Sequence, residues 1–401
     1  MHFTTFSLRF SKTNMVLVLF VFVFYSCATQ ASDGIKTVNI FEAEEGGLTI
    51  SEIADDITYI PLASDSVLAY IMNVVYFDGE YFVKDNKSKF LRFDGHGNLL
   101  NQIGRRGQGP GEYMYTSDFV IHPATSNIYI SGGKPEQLMV FSRKGKFLKT
   151  IDLTKKYTNS IGISGENLFL FYLDGAEHNE ENMDLLDTDG NKIKSYSNKY
   201  KFERGRAMMS FSGECATYLL EDKLHFKEIF SDTIFSIDGQ NMVPKMILNS
   251  EEKRFTPETR KKVSEELGAD PREPGASLTN SVTQNNLFET GNFLFYEYGY
   301  NKKGRMLIYN KSTGKAVETD SQEGIKNDWD GGPNIQLKMA KDDNTVFAWV
   351  NAFELKQYVA SDDFKNSVPK HPEKKKELEE LANSLDENDN PLLMLVKLKP
   401  Q

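Results

Sequence analysis

The sequence predicts an all-β chain, a β-propeller of six four-stranded blades closed by its N-terminal strand and interrupted by two short helical insertions. Three observations carry this. First, five stretches share one shape: "KFLRFDGHGNLLNQIG", "QLMVFSRKGKFLKTID", "MDLLDTDGNKIKSYS", "DTIFSIDGQNMVPKMIL" and "RMLIYNKSTGKAVETD". Each sets an alternating apolar run before a turn with Gly and a second run, the pattern of a hairpin. Second, the apolar residue before the turn falls at Phe93, Phe141, Leu186, Phe235 and Tyr309, the first four 45 to 49 residues apart. Two further strand candidates precede the hairpins of the first three units ("IMNVVYFD" with "EYFVKD", "DFVIHP" with "NIYISG", "IGIS" with "NLFLFY"), which makes four strands per repeat. Third, a chain of 401 residues is too long for one compact core, which rarely grows past about 250–300 residues. Stacked blades avoid that limit by sharing a core between neighbours.

The elements follow in order. Arg9 and Lys12 precede the apolar run "MVLVLFVFVFY" and then "SCATQ". A charged start, a short apolar run and small residues describe a secretory signal over residues 1–26. Residues 27–36 are small and polar and read as a tether. The propeller is expected over residues 37–401. "DITYIPLA", Asp56–Ala63, precedes the first unit, and the sixth unit ("NIQLKMAKD", "TVFAWVNA", "PLLMLVKLK") is one strand short. Pairing the first into the last closes the ring and removes its free edges. Between the fourth and fifth units, Thr256 with Pro257 and Glu258 marks a helix start, for an insertion at about 254–268. In the sixth unit, Leu378, Leu381 and Leu385 form one helical stripe in an insertion at about 372–386. The fourth unit, "SGECATYLLEDKLHFKEIF", fits two strands with little connector.

Two resemblances follow. Ser26-Cys27 resembles the lipobox of bacterial lipoproteins, although Phe24 stands where Leu is usual and Tyr25 where a smaller residue is. It implies lipidation of Cys27 and a membrane anchor, in the outer membrane of a bacterial envelope. The stretch from "ITYIPLA" to "DFVIHP", above all "IGRRGQGPGEY", resembles the six-bladed β-propeller family of bacterial envelope lipoproteins. It is more distantly similar to NHL-repeat propellers.

The most unusual loop is "NQIGRRGQGPGEYMY", Asn101–Tyr115. It is not a phosphate cradle. Pro110 stands where a Walker loop needs Lys, Glu112 where a dinucleotide fingerprint needs its last Gly, and a strand follows instead of a helix. In a propeller this loop crosses from one blade to the next, on the face where ligands usually bind. Two readings stand. In one, Arg105, Arg106 and Glu112 pair locally and brace a connector. In the other, Arg105, Arg106, Gln108 and Glu112 form a ligand lip, with Tyr113 and Tyr115 as stacking surface. Trp329, between Asp328 and Asp330, would be a second platform on that face, or a buried anchor; Trp349 reads as core. "DLLDTDGNK" lacks the first and last ligands of a calcium loop and reads as a turn. No metal site or cofactor is assigned. His96, His122, His178, His225 and His371 have no partner at a diagnostic spacing.

A net charge of −10 argues against nucleic-acid binding. Cys27 and Cys215 are the only cysteines, so no disulfide framework exists. The expected function is a monomeric, non-catalytic binding or scaffolding module for a peptide, a glycan or an envelope protein. The alternative is a lactonase-like or lyase-like enzyme holding a divalent metal at the channel mouth. The first three inner strands supply few metal-binding side chains, which favours binding.

Overall fold

The computed structural model describes residues 34–132, 137–153, 158–172, 180–202, 211, 213–269 and 275–400. The expected signal, Cys27, most of the expected tether and His178 lie outside them. From Thr37 on the chain is one compact unit. It forms six antiparallel sheets, each of four strands in sequence order, apart from short additions to two of them and the closure of the last. This is the six-bladed propeller expected. The innermost strands are Ile71–Phe77, Thr116–Ile121, Thr158–Ser164, Cys215–Leu220, Thr283–Glu289 and Met339–Asp342, and they ring the channel.

Burial follows position in the blade. Second strands such as Glu80–Asp85 and Ile128–Gly132 are buried almost throughout. They have a strand on each edge and a blade against each face. Outer strands such as Leu99–Gln102 and Phe147–Asp152 alternate, because only one face meets a neighbour. Aromatic rings fill the seams: Phe90 meets Phe119 of the next blade at 4.2 Å, and Phe171 meets Phe226 at 5.1 Å. Such ring pairs add to the area they bury.

The hairpin turns are built as the repeats imply. Asp94 accepts from the backbone N–H of His96 and Asn98, both at 2.9 Å. Asp187 does the same for Asp189 and Asn191, at 2.9 and 2.8 Å, so "DTDGN" is a turn in which the carboxylate serves the backbone. In the fourth blade, Glu221 and Asp222 both have positive φ and connect Cys215–Leu220 to Lys223–Glu228 directly.

Closure is by the N-terminal strand. Ala54–Pro61 pairs antiparallel with Leu392–Leu398, from Pro61 opposite Leu392 to Ile57 opposite Val396. Before it, the chain from Thr37 runs as a belt over the outer edges of blades 4 and 5. Glu44–Glu45 pairs parallel with Val317–Glu318. The sequence reading does not reach this belt, because its strands are too short to show alternation.

The helix between blades 4 and 5 is Pro257–Ala269, where Thr256 Oγ1 accepts the N–H of Thr259 at 3.1 Å. The insertion in blade 6 holds Pro372–Ser384 as expected, but also Ala352–Ala360 and Asp362–Asn366. Ala352, Leu355 and Val359 bury one stripe of the first of these. The sixth inner strand is shorter than its apolar run: Asn334–Lys338 lies outside it, and Ile335 bridges Ile325 instead.

Candidate functional site

Blade crossings, second-to-third strand loops and both helical insertions share one face of the ring, because each blade's first strand starts there. The loop Ile103–Tyr115 crosses from blade 1 to blade 2. It closes on itself. Tyr113 N–H donates to Arg105 C=O at 3.1 Å, and Gly107 N–H to Tyr113 C=O at 3.0 Å. Glu112 sits at the centre, pairing with Arg105 Nε at 2.5 Å and accepting from Gly109 N–H at 2.9 Å. The Gly109 N–H, then Arg105, holds the Glu112 carboxyl below its ordinary range. A Cβ on Gly107 would lie 2.0 Å from Glu112 Oε2, and Gly104 has φ +57° with Tyr113 and Phe141 packed beneath. These glycines make room for the brace and the core.

The candidate lip residues therefore separate. Tyr113 is fully buried, its hydroxyl donating to Ile103 C=O at 2.8 Å, so its ring is core and offers no stacking surface. Arg105 is exposed but tied to Glu112. Arg106 and Gln108 point outward, and Tyr115 is partly exposed.

Trp329 lies at the crossing from blade 5 to blade 6, so the structure does not bring it to Arg105. It is buried, with its ring 4.4 Å from that of His371. Its flanking carboxylates face inward. Asp328 accepts from Ser51 N–H at 3.0 Å and Ser51 Oγ at 2.7 Å. Asp330 accepts from Tyr59 OH and Gly332 N–H, both at 2.8 Å, and from Asn327 Nδ2 at 2.6 Å. Burial pushes the Asp330 carboxyl up, against those hydrogen bonds. Trp329 is thus an anchor, as the plainer reading had it.

Two features of this face are not legible in the sequence. The first is an exposed apolar rim beside the channel: Val67, Tyr70, Met72, Met114 and Tyr115. Tyr70 and Met72 open blade 1, and Met114 and Tyr115 open blade 2. They flank the polar loop Asn86–Ser88: Asn86 N–H donates to Tyr70 C=O at 2.9 Å, and Thr116 N–H to Ser88 Oγ at 3.1 Å. Phe353 and Val368 of the blade 6 insertion are exposed on the same face. Other exposed apolar side chains, such as Leu100, Leu148, Ile193 and Val243, sit singly on outer strands.

The second feature is a polar relay along the inner strands. Asp118 accepts from Asn73 Nδ2 at 3.4 Å, from Ser160 Oγ at 3.0 Å and from Ile161 N–H at 3.0 Å, and Ser160 Oγ lies 2.9 Å from Thr217 Oγ1. One carboxylate thus joins blades 1, 2 and 3, and the relay reaches blade 4. Four of the six inner strands carry a register irregularity near this level, at the start of the strand. Among the described residues, the hydroxyls of Thr116 in blade 2 and Thr158 in blade 3 are buried without a partner. Among the described residues no three His, Cys, Asp or Glu side chains converge as metal ligands.

Fold and site together define a six-bladed propeller with an amphipathic rim over a braced polar channel wall. The chain belongs to the family described as domain of unknown function DUF4934, which matches residues 35–397. It is similar in structure to a Bacteroides fragilis protein named as a candidate exported protein, with a TM-score of 0.71 at 18% identity over 91% of this chain and 100% of that one. A member of the DUF4221 family from Bacteroides vulgatus matches with a TM-score of 0.51 at 12% identity, over 86% of this chain and 97% of that one. No curated protein matches.

Proposed function

We propose that this protein is an exported lipoprotein, anchored through Cys27, whose propeller is a non-catalytic binding module for a peptide segment of an envelope partner. The rim carries the reading. Contiguous exposed apolar side chains mark binding surfaces, whereas scattered ones do not. Met72 and Met114 are adaptable, and Tyr70 offers both ring and hydroxyl. Arg106 lies beside them for an acidic group. The exported character named for the Bacteroides fragilis relative accords with the signal at residues 1–26. A short apolar rim over a channel suits a peptide better than a glycan, which would need exposed flat rings with polar neighbours.

The test is site-specific photo-crosslinking in cells. A benzoyl-phenylalanine at Met72 or Tyr115 should give a discrete adduct with one envelope protein, and one at Val243 should not. Equal labelling at all three positions would reject the rim as the site. Separately, Cys27→Ala should release the protein from membranes; retention would reject the lipid anchor.

A further inference from the structure

At the crossing from blade 3 to blade 4, the two blades leave a narrow cleft at their seam. Its water-accessible volume is about 20 Å³, room for one group the size of a water or an ammonium head, and it opens to solvent. Its walls are Phe171, Phe226 and Phe235, with the first two rings 5.1 Å apart and the last two stacked at 5.4 Å. Its polar side chains are Asn182, Ser197, Lys199, Tyr200 and Glu228. Asn182 Nδ2 donates to Glu228 Oε1. Among the described residues nothing donates to Glu228 Oε2, and that oxygen is not sealed off from solvent. A carboxylate oxygen without a donor, set among aromatic faces, is the complement of an organic cation: the oxygen meets N–H groups, and the rings meet charge and methylenes.

The chain itself shows what the walls accept. Lys199 lays its side chain along the cleft, with Nζ 5.9 Å from the Phe235 centroid. It makes no ion pair with Glu228, so the carboxylate stays open. Burial pushes the Glu228 carboxyl up to about 7, against Lys199 and Asn182, so it is a full carboxylate only above that pH.

We propose that the blade 3–4 cleft binds a primary alkylammonium group, with the nitrogen on Glu228 Oε2 and the methylenes leaving along Phe235, the partly exposed ring of the wall. A volume of about 20 Å³ suits an –NH3+ head and is too small for a quaternary one. The group could be carried by a free amine or by a lysine side chain, and the chemistry is the same.

Calorimetric titration of the full propeller tests this with n-butylammonium, N-acetyl-lysine N-methylamide and tetramethylammonium chlorides. Saturable binding of the first two but not of the third is expected. Glu228→Gln should weaken it about tenfold or more, and Lys199→Met should leave it equal or tighter. Phe235→Leu should also weaken it, which guards against misreading a poorly folded Glu228 variant. Preference for the lysine derivative assigns the site to a peptide side chain, and the reverse to a free amine. Absence of saturable binding in both the parent and Lys199→Met, or binding unchanged in Glu228→Gln, overturns the proposal.

Discussion

The crossings from blade 1 to blade 2 and from blade 5 to blade 6 do the same topological work in opposite ways. The first is local. Glu112 reaches back seven residues to Arg105 and three to Gly109, and the loop holds its own shape at the surface. The second is tertiary. Ser51, Tyr59, Lys370 and His371, all distant in sequence, hold Asp328, Trp329 and Asp330 in place. The carboxylates record the difference: hydrogen bonds and Arg105 push Glu112 down, and burial pushes Asp330 up. A locally braced loop leaves side chains such as Arg106 free to meet a partner. A loop built into the core cannot.

The largest effect that would sharpen this contrast is Trp329→Ala. It empties a buried site between the crossing and the blade 6 insertion, and should cost about 3–5 kcal/mol in denaturant unfolding. A loss no larger than that of a surface substitution would break the comparison. Asp118→Ala comes next. It strips acceptors from Ile161 N–H and Ser160 and should cost about 2–3 kcal/mol, while leaving the rim in place. Tyr113→Phe removes one buried hydrogen bond, to Ile103, and should cost about 1 kcal/mol. Arg106→Ala and Met114→Ala should leave the melting temperature unchanged, yet reduce crosslinking to the rim.

The pH dependence separates the crossings by sign. Glu112 has its folded pKa lowered, so its stabilisation is present above its ordinary value of 4.5 and is lost as pH falls through the folded one. Asp330 has its folded pKa raised, so its contribution is present below its ordinary value of 3.8 and is lost as pH rises through the folded one. Melting curves across acid pH should therefore show Glu112→Gln and Asp330→Asn diverging from the parent in opposite directions. Parallel shifts would mean that both loops are held in the same way.

Much of the architecture was legible because it rests on local pattern. The spacing of Phe93, Phe141, Leu186 and Phe235 set the blade repeat, and the incomplete sixth unit pointed to the strand at Asp56–Ala63. The short strands of the belt and the helix at Ala352–Ala360 were missed, since few residues carry their signal. In the candidate site, the brace at Glu112 was one of the two readings available from Arg105, Arg106 and Glu112. The burial of Tyr113 could not be foreseen, because Phe141, which packs against it, belongs to the next blade.

By itself, then, the sequence determined the number of blades, their closure and the place of the glycine-rich crossing. Period, alternation and turn residues act over a few positions and survive without knowledge of neighbours. Only the tertiary structure decided that Trp329 is an anchor, that Asp118 joins three blades, and that Tyr70, Met72, Met114 and Tyr115 stand together in solvent. Those facts depend on which residues of different blades meet across a seam or a channel. That distance in space is set by the closed ring and not by any spacing along the chain.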